Sequence, residues 1–178
     1  MGQAGPRDLA VTFDDGLKSV RNALPVLTAY RIPYTLFVVS GWADGEASWH
    51  PELLMDWRDI EEQIAAGAAV GSHSVTHPDF SRLDDDEAEE ELRRSRETIE
   101  SRIGVSPTTF AIPLGQSNNW SAALQTRARA AGYDLVYAQS EGRRTEGTTA
   151  RTFITKWDTD RVFRAALAGA FDNWEERP

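Results

Sequence analysis

Short apolar runs alternate with longer amphipathic stretches along this chain, and that alternation constrains the fold more than any other feature of the sequence. The runs at 9–13, 34–39, 68–72, 108–112, 134–138 and 152–155 are too short for helices and rich in strand-forming residues. Between them, Val20, Leu24, Leu27 and Tyr30 recur near helical spacing, with Pro25 at a helix start and Ile32-Pro33 as a breaker. Further helices are predicted over 55–66, stopped by Gly67, and over 84–103, with Ala88, Leu92, Ile99 and Ile103 on one stripe. Two more are predicted over 121–131, ending at Gly132, and over 159–170. Polar loops fill 40–52, 113–119 and 140–150. Strand, helix and strand in this order imply parallel βα units, hence an α/β sheet or barrel. A chain of 178 residues without repeats or a linker suits one domain, 1–178.

Several of these runs end in chemistry. The first ends in Asp14-Asp15-Gly16. Adjacent carboxylates at a strand end repel, and either a cation or the use of one acid as a base relieves the repulsion. The plainer reading is an acidic turn. The third run leads into His73-Ser74-Val75-Thr76-His77, and on a helical turn that spacing puts both imidazoles on one face. Both features sit at C-terminal strand ends, the edge where parallel α/β folds gather their active sites. Two imidazoles and a carboxylate make an open site suited to Zn²⁺ or another divalent ion. The only other histidine is His50, so a third protein ligand has to be a carboxylate. The same donor set suits Fe(II), but the adjacent second carboxylate favours hydrolysis over oxygenation. The acidic run from Asp84 to Glu91 opens a helix and faces Arg93, Arg94 and Arg96, so it reads as a solvated face rather than a metal site.

Composition removes other functions. With 28 acids against 19 bases the net charge is -9, which disfavours nucleic acid and anionic membranes as partners. The absence of cysteine excludes disulfides and thiolate chemistry. Residues 1–8 hold no apolar stretch, so neither a signal peptide nor a membrane span is expected in the given chain. The expectation is an intracellular protein or one that starts after a removed leader. Oligomeric state is not readable from the sequence.

Thr12-Phe13-Asp14-Asp15-Gly16, then Ser72-His73-Ser74-Val75-Thr76-His77-Pro78, then Phe110-Ala111-Ile112-Pro113-Leu114-Gly115 resemble, in order and spacing, the first three motifs of the polysaccharide deacetylase family (NodB homology domain, carbohydrate esterase family 4). The resemblance implies a distorted, incomplete (β/α) barrel with parallel strands. It also implies a metal-dependent hydrolase that removes acetyl groups from N- or O-acetylated oligo- or polysaccharides. Carried over residue by residue, Asp15, His73 and His77 hold one divalent ion, Zn²⁺ first and Co²⁺, Ni²⁺ or Mn²⁺ next. Asp14 is the general base towards metal-bound water, and the backbone N–H of Leu114 stabilises the oxyanion. Pro113 and Gly115 shape the loop that meets substrate. Independently of the resemblance, Trp42, Trp49 and Trp120 lie in predicted loops near the active edge and offer faces for sugar rings.

The chain departs from the family pattern in two places. Where many members carry a base-orienting arginine in the third motif, this chain has Ala111, and no histidine follows His77 to protonate a leaving amine. His50, or Asp14 once protonated, is left for that task. Lys156-Trp157-Asp158-Thr159-Asp160 resembles the fourth motif but lies too near the chain end, so Trp157 is read as packing and Asp158 or Thr159 as a helix cap. A catalytically weak glycan-binding relative, or a hydrolase of other non-peptide C–N bonds such as cyclic imides or ureides, is the alternative.

Overall fold

The computed structural model describes residues 9–139 and 144–171. Among the described residues, six strands form one sheet: β1 (Val11–Phe13), β2 (Tyr34–Val38), β3 (Ala69–Ser72), β4 (Thr109–Ala111), β5 (Leu135–Ala138) and β6 (Thr148–Ala150). They lie in chain order and every neighbouring pair is parallel. A doubly wound sheet reverses its strand order at the middle, and this one never does, so it winds one way as a barrel does. The sheet curls until Arg151, just past β6, donates to Thr12 Oγ1 on β1 at 3.0 Å. β1 and β6 are nevertheless not neighbours in the hydrogen-bonded order. The result is the distorted, incomplete (β/α) barrel expected from the sequence.

Helices α1 (Leu24–Ala29), α2 (Ser40–Ala43), α3 (Trp57–Ala65), α4 (Asp85–Ile103), α5 (Ala122–Ala130) and α6 (Asp160–Leu167) follow the strands. Alternation along β2 divides its side chains between the two faces. Leu36 and Val38 join a core with Leu27, Ile60 and Ile99, while Phe37, fully buried, turns to the barrel interior. A second core, built on Phe80, Leu92, Phe110, Trp120 and Tyr133, lies on the β4–β5 side. Helix ends follow local chemistry. Asp84 and Glu87 form a reciprocal capping box at the start of α4, and Gly104, at φ +67°, ends it. No helix among the described residues is long and apolar enough to cross a membrane.

Three segments differ from expectation. The helix after β1 begins as a tight 3₁₀ turn over Lys18–Ala23, and the loop expected over 40–52 opens with α2. The last strand is Thr148–Ala150 rather than 152–155. Thr148–Ala150 pairs with Val136–Ala138, whereas Phe153 and Ile154 stand 46% and 45% exposed and take no part in the sheet. Apolar composition drew the expected strand to the wrong side of Arg151. Residues 140–143 of the expected loop lie outside the described residues. Trp157 is 81% exposed rather than packed, with the Lys156 ammonium over its ring. Thr159 does cap α6, accepting from the Val162 N–H.

Candidate active site

The turn after β1 brings both aspartates to the barrel's C-terminal rim. Asp15 and Gly16 take left-handed conformations, φ +69° and +71°, which aspartate and glycine tolerate best. The Gly16 carbonyl accepts from the Met55 N–H at 2.8 Å and pins the turn to the chain ahead of α3.

The His73 backbone N–H donates to the Val38 carbonyl, continuing the β2–β3 ladder by one residue. Its Nδ1 lies 2.7 Å from the Ala111 carbonyl. A carbonyl only accepts, so Nδ1 carries the hydrogen and Nε2 is left with a free lone pair. His77 is not on a helical turn with His73, as its spacing suggested. The segment is an irregular loop in which Ser74 and His77 have φ of +71° and +61°. Two anchors hold it there. The Ser74 hydroxyl accepts from the His77 N–H at 2.9 Å. Glu91 on α4 accepts from the Val75 and Thr76 N–H groups and from the Thr76 hydroxyl.

These elements bring Asp14, Asp15, His73 and His77 together. Asp15 Oδ1 lies 3.5 Å from His73 Nε2 and 3.4 Å from His77 Nε2. Asp14 Oδ2 lies 3.9 Å from His73 Nε2. One ligand atom from each of Asp15, His73 and His77 falls within 4.8 Å of the others. Asp15 Oδ1 is buried and has no hydrogen-bond partner. Electron pairs converging on one point with no donor between them are costly, and a cation removes that cost. The donor set therefore fits a divalent ion. Burial pushes His77 below the usual imidazole range, and the neighbouring His73 works in the same direction, against the opposing pull of Asp15. A neutral ring is the form that ligates.

Asp14 is held from the opposite edge of the sheet. Arg151 grips it with both arms of the fork, NH1 to Oδ1 and NH2 to Oδ2, each at 2.7 Å. Burial pushes the Asp14 carboxyl up, but the Arg151 hydrogen bonds and charge, with the two imidazoles alongside, outweigh it and hold it below the usual range. The Arg151 guanidinium lies over the rings of Phe37 and Tyr137, 5.2 and 5.7 Å from their centroids.

Other residues singled out in the sequence divide between rim and core. Leu114 has φ +64°, and its N–H finds no acceptor among the described residues, so a donor is available at the rim. Pro113 accepts from Asn119 Nδ2, and a Cβ on Gly115 would meet Gln139 Cγ at 2.5 Å, so both shape that loop. Trp42 stacks on His77 with centroids 5.2 Å apart, and Trp49, 40% exposed, stands edge-on to Trp42. Trp120 is a correction: it is buried between Phe80 and Phe110, with its indole N–H on Gln125, and has no face for a sugar. His50 is exposed; its partners are Glu52 and Trp49, not the aspartates.

Sequence reasoning missed two residues. Arg151 follows β6, which starts four residues ahead of the apolar run at 152–155, so only the observed strand marks it as a strand-end residue. Glu91 is the last acid of the run that opens α4 and looks no different from its solvated neighbours in the sequence. Its position one turn before Ser95, whose hydroxyl bonds Ser72 and the Ser74 carbonyl, was the available signal.

The pattern that defines the polysaccharide deacetylase family matches residues 2–136. The chain belongs to the polysaccharide deacetylase family. Similar members include a chitooligosaccharide deacetylase of Bradyrhizobium sp. (strain ANU 289), 34% identical over 137 residues, covering 75% of this chain and 57% of the relative. Another, from Rhizobium leguminosarum bv. trifolii, is 29% identical over 133 residues, covering 74% and 56%. The chain thus spans a little over half the length of these polysaccharide deacetylases. Among solved structures, IcaB from Ammonifex degensii superposes with a TM-score of 0.70 at 25% identity, over 90% of this chain and 72% of that one. The Streptococcus pyogenes deacetylase PplD, in complex with acetate, superposes with a TM-score of 0.74 at 20% identity, over 88% and 68%, and supports the fold. Asp14, Asp15, His73, His77 and Leu114 fall inside the family pattern, whereas Arg151 lies beyond its end.

Proposed function

We propose that this protein is a metal-dependent deacetylase of acetylated glycans, a hydrolase of non-peptide C–N or ester bonds that forms no covalent intermediate. The observation that carries the reading is the convergence of Asp15, His73 and His77, with Asp14 alongside, in a polysaccharide deacetylase family member. Asp15, His73 and His77 would hold one divalent ion, Zn²⁺ by donor type. Such an ion, when bound, acidifies a water and polarises the acetyl carbonyl.

Asp14 stays a carboxylate because the Arg151 guanidinium favours its charge, so it is ready to accept the proton of the attacking water. Each of its oxygens keeps a lone pair beyond the one spent on Arg151. The Leu114 N–H donates to the oxygen that gains charge as the carbonyl carbon becomes tetrahedral. With His50 turned to Glu52 at the exposed rim, the proton held on Asp14 is the one returned to the leaving nitrogen. Trp42 and Trp49 supply apolar surface beside His77 for a pyranose ring.

The test is acetate release from chitin oligomers, acetylxylan and small acetate esters, using zinc-loaded and chelator-stripped protein, with elemental analysis of each sample. Loss of both zinc and acetate release is expected in Asp15→Ala and His73→Ala. Undiminished release from stripped protein, or from either variant, refutes the reading.

A further inference from the structure

Arg151 holds the carboxylate of the proposed base with two hydrogen bonds, and it comes from outside the three motifs. Its backbone N–H continues the sheet, donating to the Ala138 carbonyl at 2.7 Å. All its side-chain hydrogen bonds among the described residues go to the end of β1: one to Thr12 Oγ1 and two to the Asp14 carboxylate. Its Nε makes none, and the rings of Phe37 and Tyr137 lie beside the guanidinium. The side chain is 13% exposed. Ala111, at the end of β4, offers the site only its carbonyl, which orients His73.

We infer that Arg151, delivered by β6 across the open seam of the barrel, is the positioning residue that fixes the Asp14 carboxylate for proton transfer. The inference rests on the deacetylase reading for its kinetics and on geometry alone for its structural part. A fork donating two parallel bonds sets both the rotation and the tilt of a carboxylate, which a single hydrogen bond cannot do. Without it, Asp14 keeps its place in the turn but is free to rotate about χ1 and χ2. Proton transfer depends on distances near 3 Å, so a displacement of about 1 Å costs on the order of 10²-fold in rate. The seating over Phe37 and Tyr137 has a matching purpose: it stops the fork from sliding, so the barrel interior supports the base through one side chain.

Arg151→Met keeps volume between the two rings and removes the fork; Arg151→Lys keeps the charge and loses the two-point grip. The expected result for Arg151→Met is a fall in kcat on the order of 10²-fold at nearly unchanged KM. Zinc affinity, measured by calorimetric titration of metal-free protein, stays within about twofold of the wild type, since none of the three ligand side chains is touched. Arg151→Lys recovers only part of the rate, and millimolar guanidinium in the assay raises kcat of Arg151→Ala but not of the wild type. In a crystal structure of Arg151→Met, the Asp14 carboxylate is rotated from its wild-type setting. A wild-type kcat in Arg151→Met, or an unmoved Asp14 carboxylate in its crystal structure, overturns the inference. If the wild-type protein releases no acetate from any substrate, the functional reading fails instead, and the Asp14 setting in the variant alone decides the role of Arg151.

Discussion

Glu91→Ala is expected to loosen the loop that carries His77 and, with it, metal binding. In the folded chain Glu91 Oε2 accepts from Val75 N–H at 2.8 Å and Thr76 N–H at 3.0 Å, and Oε1 accepts from the Thr76 hydroxyl at 2.7 Å. Val75 is 4% exposed, so its amide, once orphaned, has poor access to water and costs about 1–3 kcal/mol. Thr76 is exposed, and water replaces most of what its groups lose. The sum is about 2–3 kcal/mol, which lowers the unfolding midpoint of a chain this size by about 5–10 °C. The same anchor offsets backbone strain at Ser74 and His77, about 1–3 kcal/mol for each left-handed residue. Released, the loop relaxes and carries His77 away from Asp15 and His73. If re-forming it opposes binding by about 2 kcal/mol, the zinc Kd rises roughly 30-fold. Glu91→Gln still presents an oxygen to both amides, and its NH₂ can donate to the Thr76 hydroxyl, so it should lose less than half as much. The assays are thermal unfolding followed by circular dichroism and calorimetric titration of zinc into metal-free protein. A Glu91→Ala protein with the wild-type midpoint and the wild-type Kd would refute this account of the loop.

Gly71→Ala places a Cβ 2.4 Å from Cε1 of the buried Phe37 ring and 2.6 Å from Thr109 Oγ1, so a loss of about 1–3 kcal/mol is expected in urea unfolding. Tyr133→Phe removes the hydroxyl that donates to the Leu92 carbonyl at 2.9 Å and should cost about 1 kcal/mol in the same experiment. Trp42→Ala removes the ring stacked on His77 and is expected to raise KM for chitin oligomers more than for a small acetate ester, which has no sugar to stack; equal effects on both would count against a sugar-binding role.

The ends of the strands show why the sequence was readable in some places and not in others. A strand buried on both faces is an uninterrupted apolar run, so β1 through β5 announced themselves within a residue or two, and the polar groups following β1 and β3 stood out against them. β6 did not. Thr148-Thr149-Ala150 is short and polar, and the neighbouring Phe153-Ile154 looks more strand-like in composition while remaining half-exposed. Trp120 is the converse case: a tryptophan beside a polar loop looks available, yet the ring packs inward on Phe80 and Phe110.

What the amino-acid sequence determined by itself was the parallel α/β architecture and the four side chains Asp14, Asp15, His73 and His77, because strand periodicity and strand-end chemistry are local properties. Tertiary structure alone decided how those groups are held. The tautomer of His73 depends on a carbonyl 38 residues away, the His77 loop on an acid from the middle of α4, and the setting of Asp14 on an arginine 137 residues later in the chain. Such partners are specified by the curl of the sheet and the packing of α4 against it. No local pattern encodes them, because the distance between two residues in the chain says nothing about their separation once a sheet has wound almost into a barrel.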